Sequence, residues 1–514
     1  MMKRPLLLWT LLALLAGCAV NPVTGKNELS LVSEQQELVI GAQQYAPARQ
    51  SQGGDYEVDR ELTAYVSQVG NRLAAVSDRK LPYEFKVLNS SVPNAWALPG
   101  GKISINRGLL TELQNEAELA AVLGHEIVHA AARHGAQSMS TGMLLQAGAM
   151  GVALASQGTE YANLAQMGAG LGAQLITQRY GRDAERESDF YGMQYMVRAG
   201  YDPQAAVSLQ RTFVKLAEGK QQDWLTGLFA SHPPSQERVQ NNIALLATMP
   251  KGGELGAERY RAKVAHLMQT RPAYKAYDEG RKALAKEDLA AAGRLAQQAI
   301  ALEPKEGHFY ALMGDVEQKS QRFKPAITHY DKAIGLNPNF FHYYLQRGKA
   351  EEQLNLTGQA QADLERSIML LPTGDAYYSL GRLAQKAGRL NEAKTYYAKV
   401  AGSQGELGQQ AYGSLVDLDL NENPAKYVEV KTGQDAQGRI LAQINNPTPR
   451  DISKIVLIIQ VRTAAGKLQK LQRSLEGTVT AGSQKLFDLG LTGQLTKEQL
   501  ASLQAVVAGA EVVR

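Results

Sequence analysis

The sequence has 514 residues, a formal net charge of +5 and a single cysteine, Cys18. A chain of this length is expected to form several domains, with ample length for a buried core. The small net charge and the absence of a Lys/Arg-rich run argue against nucleic acid as a partner. One cysteine excludes an intramolecular disulfide, and it removes cysteine ligands and a cysteine nucleophile from consideration.

Residues 1–17 have the features of a secretory signal. Lys3 and Arg4 precede a short apolar run, and small residues precede Cys18. The segment Leu-Ala-Gly-Cys at 15–18 resembles the bacterial lipobox, which implies cleavage before Cys18 and lipid attachment to it. The alternative is an ordinary signal peptide with a chance cysteine. Ala19, by resemblance to enterobacterial sorting rules, favours anchoring in the periplasm at the inner face of the outer membrane of a Gram-negative bacterium.

Residues 18–265 are predicted to form the catalytic domain. Apolar residues in 28–80 recur at helical spacing, whereas residues 83–88 and 102–105 alternate like strands. The second of these strands comes just before the helix that carries the main motif. We therefore expect that it can hold an extended peptide by strand addition, although a plain sheet edge is the alternative.

The central motif lies in residues 118–135, which are predicted to form one buried helix. His125 and His129 are four residues apart, so both imidazoles face the same side of a helix and can bind one metal ion. Glu126 lies about 100° further round, beside the metal but outside the ligand set, where it can act as general base. This is the H-E-x-x-H arrangement of zinc peptidases. His134 is five residues beyond His129 and is predicted to face away, as a structural or surface histidine.

A third ligand is expected from the acidic run at 182–192. Catalytic zinc takes three protein ligands and keeps one open position. Glu185 is suited to this role because Asp189, one turn later, can hold the second ring nitrogen of a ligating histidine. Glu187 is the rival ligand. Two histidines and one carboxylate can also bind other divalent ions, so one zinc per chain is an inference.

These residues resemble the HtpX/BepA-like zinc metallopeptidases, relatives of the CAAX prenyl endopeptidases. The resemblance covers about residues 30–250 and includes the motifs His125–His129, 185–189, 94–97 with Gly100-Gly101, and 231–234 with Arg238. It implies zinc ligands His125, His129 and Glu185, with Glu126 as general base. Ser188 stands where the family commonly has alanine.

The same resemblance gives His232 and Arg238 possible functions. In periplasmic members the matching histidine lies on a loop that can mask the zinc, and the matching arginine lies near the site. Here they would be a gate and an oxyanion stabiliser. The alternative is that His-Pro-Pro simply starts a helix at Ser235, with Arg238 on its surface. Tyr180 is another candidate oxyanion donor.

Residues 142–176 are rich in Gly, Ala, Leu and Met, and are predicted to form a helical hairpin over the site. A membrane-dipping segment is the alternative.

Residues 274–415 carry a repeat of 34 residues. Its marker positions are Gly280, Gly314 and Gly348, with Pro304, Pro338 and Pro372. This period predicts tetratricopeptide repeats, which stack into a solenoid that binds other proteins. A solenoid that only braces the peptidase is the alternative.

Residues 422–514 alternate in short runs at 427–430, 440–444 and 455–461, with further candidate strands at 468–475 and 484–489. We expect a small antiparallel β-sandwich, with a short helix near 495–503. No catalytic constellation is found there, so an interaction or spacer module is expected.

The predicted architecture is thus an α+β, zincin-like (gluzincin) metallopeptidase domain, an α-solenoid and a small β-sandwich. The predicted function is a lipid-anchored periplasmic zinc endopeptidase that hydrolyses misfolded or misassembled envelope proteins. Its repeats would recruit these clients or an outer-membrane assembly machine. The alternative is a non-catalytic adaptor or chaperone that retains a masked zinc site.

Overall fold

A computed structural model describes residues 18–150, 180–218, 231–462, 467–492, 495–496, 499–500 and 502–513. The predicted signal at 1–17 lies outside these residues, as does most of the predicted hairpin at 142–176. The part of that hairpin at 142–150 belongs to a helix. The chain divides into two compact units, Met1–Tyr343 and Tyr344–Arg514.

The first unit contains two small sheets and most of the long helices. Its described strands are β1 (Cys18–Val20), β2 (Asn27–Leu29), β3 (Glu84–Leu88), β4 (Ala95–Leu98) and β5 (Lys102–Asn106). Its described helices are α1 (Glu34–Ser51), α2 (Arg60–Ala74), α3 (Arg107–Leu110), α4 (Glu116–Ala131), α5 (His134–Met150), α6 (Arg182–Arg198), α7 (Gln204–Glu218), α8 (Gln236–Leu246), α9 (Ala257–Ala285), α10 (Leu289–Leu302), α11 (Gly307–Lys319) and α12 (Phe323–Leu336). The boundary between the units falls within α13 (Phe341–Gln353).

The second unit continues with helices and ends in strands. The helices are α14 (Thr357–Leu370), α15 (Gly374–Lys386), α16 (Leu390–Ala398), α17 (Glu406–Asp419) and α18 (Pro424–Tyr427). The strands are β6 (Glu429–Gln434), β7 (Arg439–Asn446), β8 (Ile452–Arg462), β9 (Leu468–Leu475), β10 (Ser483–Thr492) and β11 (Gln504–Val512).

The catalytic sheet has the order β3-β5-β4. Strand β5 is central, parallel to β3 and antiparallel to β4. The prediction that β5 can accept an extended peptide is therefore wrong, because both of its hydrogen-bonding edges are already paired. Among the described strands, β4 is an edge of this sheet.

Helix α4 packs in the core of the first unit, against the sheet and α2. Asn115 caps its start by accepting a hydrogen bond from the Glu118 N–H at 2.9 Å. The predicted single helix over 118–135 is too long, because α4 ends at Ala131. Arg133 has φ of +66°, which turns the chain before α5 begins at His134.

The repeat helices pair as α9–α10, α11–α12, α13–α14 and α15–α16. Small residues allow the pairs to pack closely: a Cβ on Gly314 would lie 2.6 Å from the Tyr330 ring, and one on Gly381 would lie 2.6 Å from Tyr397. The alanines at 292, 326, 360 and 393 are fully buried. This packing explains the 34-residue period, because each small residue recurs where two helices meet.

The C-terminal strands form two antiparallel sheets, β10-β7-β6 and β11-β8-β9. Ala442 and Ile444 from one sheet and Leu457 and Ile459 from the other share one buried core, so the predicted β-sandwich is confirmed. Strand β11 was not predicted. Its sequence contains Gly and Ala where a strand usually has β-branched residues, which weakened the signal.

Among the described residues, no helix has the length and apolar character needed to cross a membrane.

Candidate metal centre and active site

Four side chains converge in the first unit. His125, His129, Glu185 and His232 each offer a ligand atom, and all of these atoms lie within 4.8 Å of one another. The two histidines come from α4, Glu185 comes from the first turn of α6, and His232 lies just before α8. His129 is fully buried, while the side chain of His125 is 12% exposed.

A close crossing of α4 and α6 brings Glu185 to the histidines. Gly124 and Gly192 face each other at this crossing, and a Cβ on Gly124 would lie 3.2 Å from the Gly192 carbonyl oxygen. Larger residues at these two positions would hold the helices apart. Glu185 and Asp189 share one face of α6, since they are four residues apart, and both point at the site.

The distances between donor atoms fit a tetrahedral zinc ion. The Nε2 atoms of His125 and His129 are 3.0 Å apart. Glu185 oxygens lie 3.5 Å from His125 Nε2 and 3.4 Å from His129 Nε2. Zinc bonds of roughly 2.0–2.1 Å in a tetrahedron place neighbouring donors about 3.3 Å apart. Imidazole nitrogen and carboxylate oxygen are also donors that zinc prefers.

The carboxylates favour a positive charge in this pocket. Burial alone would lower the pKa of His125, but Glu185 and Asp189 outweigh it and raise that pKa to about 10. Burial opposes the ionised form of Glu185, yet His232 and His125 hold the pKa of its carboxyl well below the ordinary value. The electrostatics of the pocket therefore also suit a cation held by this donor set.

Glu126 lies beside the donor cluster without belonging to it. Its Oε1 is 3.6 Å from His232 Nε2. Its Oε2 is buried and has no hydrogen-bond partner among the described residues. Burial raises the pKa of this carboxyl. A buried carboxylate oxygen without a partner is costly in a purely structural position, so this atom is suited to a proton-transfer role.

Asp189 lies behind the first histidine, as the sequence predicts. Its Oδ1 is 3.0 Å from His125 Nδ1. Arg238 donates to both oxygens of Asp189, at 2.8 Å and 2.6 Å. Arg238 also lies 2.8 Å from a Glu185 oxygen. The alternative that placed Arg238 on a helix surface is wrong, because its side chain is buried between these carboxylates. Ser235 does cap α8, because its side chain accepts a hydrogen bond from the Arg238 backbone N–H. The predicted helix start and the buried arginine side chain are therefore both present.

Comparison with known proteins identifies the family. Residues 60–243 match the model of peptidase family M48, and residues 307–340 and 374–405 match a tetratricopeptide repeat model. The mitochondrial metalloendopeptidase OMA1 of Schizosaccharomyces pombe is 32% identical over 252 residues, which are 45% of this chain and 70% of that protein. The chain belongs to peptidase family M48.

For two further relatives, the matched region covers different fractions of the relative's own length. The beta-barrel assembly-enhancing protease of Yersinia pestis is 33% identical over 190 residues, 36% of this chain and only 39% of that protein. The metalloprotease YcaL of Escherichia coli is 29% identical over 203 residues, 38% of this chain and 78% of that protein. Membership of the M48 family confirms the predicted class, a zinc-dependent metallopeptidase, and the repeat model confirms the tetratricopeptide prediction.

The sequence analysis misplaced one side chain of this M48 site. His134 does not face away from the site: it is buried, with Nδ1 2.9 Å from His129 Nδ1. The Tyr180 ring stacks on His129, with centroids 4.0 Å apart. Glu187, the rival ligand, lies outside the donor cluster and accepts a hydrogen bond from Asn21. The early end of α4 explains the error at His134, because the chain turns there.

Proposed function

We propose that the protein is a lipid-anchored periplasmic zinc endopeptidase that cleaves misfolded or misassembled envelope proteins. The observation that carries the peptidase part is the convergence of His125, His129 and Glu185 next to the buried carboxylate of Glu126. We propose these three side chains as the zinc ligands. The separations of their donor atoms fit one zinc ion, as described above.

The chemistry follows from the position of Glu126. Zinc, when bound, polarises a peptide carbonyl and lowers the pKa of water. The unpartnered Oε2 of Glu126 can accept a proton from the attacking water. The same carboxyl, whose pKa burial raises, can then deliver the proton to the leaving amide nitrogen. No covalent acyl-enzyme is required.

We propose that His232 is a gate. Its Nδ1 lies 3.3 Å from His125 Nε2 and 2.7 Å from Glu185 Oε1. A side chain at this place occupies the open position that a three-ligand catalytic site keeps for water or substrate. His232 would therefore have to move before a peptide can be cleaved.

We propose that Arg238 holds Asp189 and Glu185 in place. Its guanidinium donates two hydrogen bonds to Asp189 and lies 2.8 Å from a Glu185 oxygen. A bidentate arginine–carboxylate pair fixes geometry more firmly than a single bond. The oxyanion role suggested by the sequence would require Arg238 to leave Glu185 during the reaction, and it remains a prediction.

The location and substrates are proposed from other features. The lipobox-like segment before Cys18 supports a lipid anchor. The Yersinia relative is named a beta-barrel assembly-enhancing protease, which supports envelope proteins as clients. Tetratricopeptide solenoids bind other proteins, so the repeats are suited to recruit those clients or an outer-membrane assembly machine.

The position of His232 also favours a second candidate function. If His232 never leaves the donor cluster, the zinc site stays masked and the repeats act alone, as an adaptor or chaperone. This alternative does not explain why Glu126 keeps a buried carboxylate oxygen that has no hydrogen-bond partner among the described residues.

Cleavage of unfolded casein separates the two candidates. We expect the mature protein to cleave casein, and a chelator to abolish the cleavage. Glu126→Gln should abolish cleavage while zinc content stays at one per chain, because Glu126 is not a ligand. His232→Ala should increase the rate, whereas His266→Ala, at a half-exposed histidine paired with Glu303, should not change it. Absence of chelator-sensitive cleavage in both the parent and His232→Ala would favour the adaptor.

A further inference from the structure

The second histidine of α4 is held by another histidine. His134 is fully buried, and its Nδ1 lies 2.9 Å from the Nδ1 of His129. The left-handed conformation of Arg133 makes this contact possible, because it turns the chain between α4 and α5. Arg133 is fixed in turn by an ion pair with Glu37 and by a 2.7 Å hydrogen bond to the Val32 carbonyl.

Of the two facing Nδ1 atoms, one must donate a hydrogen and the other must accept it. His129 directs Nε2 at the other donor atoms of the cluster, so the hydrogen of its neutral ring lies on Nδ1. The facing Nδ1 of His134 must then accept that hydrogen. The hydrogen of the His134 ring consequently lies on Nε2.

Glu187 places a carboxylate near this second hydrogen. His134 Nε2 is buried and has no hydrogen-bond partner among the described residues. Among the described residues, the nearest carboxylate oxygen is Glu187 Oε2, at 3.8 Å. If the two side chains moved slightly closer, the Nε2–H of His134 could donate a hydrogen bond to the Glu187 carboxylate.

The N-terminal hairpin, strands β1 and β2, holds Glu187. Asn21 lies in the turn between these strands and is almost fully buried. Its Nδ2 donates to Glu187 Oε1 at 3.0 Å, and its Oδ1 accepts from the Val23 N–H at 2.9 Å. Glu28 of β2 is a further acceptor for the same amide, at 3.2 Å. The hairpin therefore contacts the helix that supplies Glu185.

We propose that His134, Glu187 and Asn21 form a positioning chain that fixes the orientation and tautomer of His129 for metal binding. The inference rests on the proposed zinc site. It gives the segment directly after Cys18 a role in building that site. His125 is held differently, by the carboxylate of Asp189.

Zinc affinity of the full mature protein, measured by competition with a chelator, tests the chain. His134→Leu removes the acceptor, and we expect zinc to bind about 10–100-fold more weakly, the usual cost of losing such a partner. His134→Asn is the matched control, since its Oδ1 replaces Nδ1 as acceptor and should restore most of the affinity. Glu187→Gln should give a smaller loss. The cobalt-substituted proteins should show an altered visible spectrum for His134→Leu and a nearly unchanged one for His134→Asn.

The outcomes separate this inference from the zinc site itself. If the parent binds zinc and Glu185→Ala abolishes binding, the site is right. If His134→Leu then binds zinc as tightly as the parent, or if His134→Asn loses as much affinity as His134→Leu, the positioning chain is wrong. If neither the parent nor any variant binds zinc, both proposals fail.

Discussion

At the scale of single residues, the site depends on one buried ion pair. Asp189 accepts two hydrogen bonds from Arg238 and lies 3.0 Å from His125 Nδ1. Burial opposes ionisation of Asp189, but Arg238 outweighs it and lowers the pKa of this carboxyl. Asp189 therefore carries a negative charge that both orients the histidine and balances the arginine.

Asp189→Asn should reveal this dependence. The amide keeps the size of the side chain but turns a donor toward Arg238, which leaves a buried cation poorly paired. We expect a loss of stability of about 3 kcal/mol, typical for breaking a buried pair, together with weaker zinc binding. Chemical denaturation and chelator competition measure the two effects. Asp189→Asn combined with Arg238→Gln should cost less than the sum of the single changes, and strict additivity would contradict the pairing.

At the scale of helices, the crossing of α4 and α6 sets the distance between the proposed ligands. A Cβ on Gly192 would lie 3.1 Å from the His125 backbone nitrogen, which is tighter than an ordinary contact. Gly192→Ala should push the helices apart and cost about 1–3 kcal/mol of stability, the usual range for overpacking. Zinc affinity should fall as well, because Glu185 moves with α6.

Gly181→Ala is the matched control for that prediction. Gly181 directly precedes α6 and has an ordinary φ of −68°, and no atom of the described residues lies within 4 Å of the place where its Cβ would be. Alanine caps a helix less well than glycine, so the denaturation midpoint should fall slightly in this variant, whereas zinc affinity should be unchanged. Equal losses of zinc affinity in the two variants would mean that the effect of Gly192→Ala does not come from the crossing.

The sequence was most informative where spacing alone decides geometry. The positions of His125 and His129 on one helix, of Glu185 and Asp189 on another, and of the repeat glycines follow from residue intervals. These intervals predict which side chains share a helix face. They also fix the positions where two helices can pack closely, as they do at Gly314 and Gly348.

The sequence was least informative about where the chain turns and about which strands pair with each other. The left-handed Arg133 ends α4 early, and neither glycine nor asparagine occupies that left-handed position. This turn places His134 against His129, contrary to the helical projection. The central position of β5 depends on pairing with both β3 and β4, which is a non-local property that alternation cannot reveal.

At the scale of the whole first unit, the peptidase elements and the first repeats pack together. Gln50 of α1 donates to the Asn339 carbonyl at 2.6 Å and accepts from the Phe341 N–H at 2.9 Å. Glu306 accepts from Asn89 at 2.9 Å and from Tyr274 at 2.8 Å. These polar bonds are specific in geometry, so the start of the solenoid is held in one orientation within this unit.

A further contact between the peptidase elements and the first repeats should make the free energy of unfolding depend on pH. His308 donates from Nε2 to the Gly53 carbonyl at 2.9 Å, and burial lowers its pKa to about 4. In the unfolded chain the pKa is about 6.5, so the unfolded state binds more protons between these values. This part of the stability is present above pH 6.5 and is lost as pH falls toward 4, by at most about 3 kcal/mol. His308→Gln keeps a donor without the titration, and its denaturation free energy should fall less steeply over this range. Parallel curves for parent and variant would show that His308 does not carry the effect.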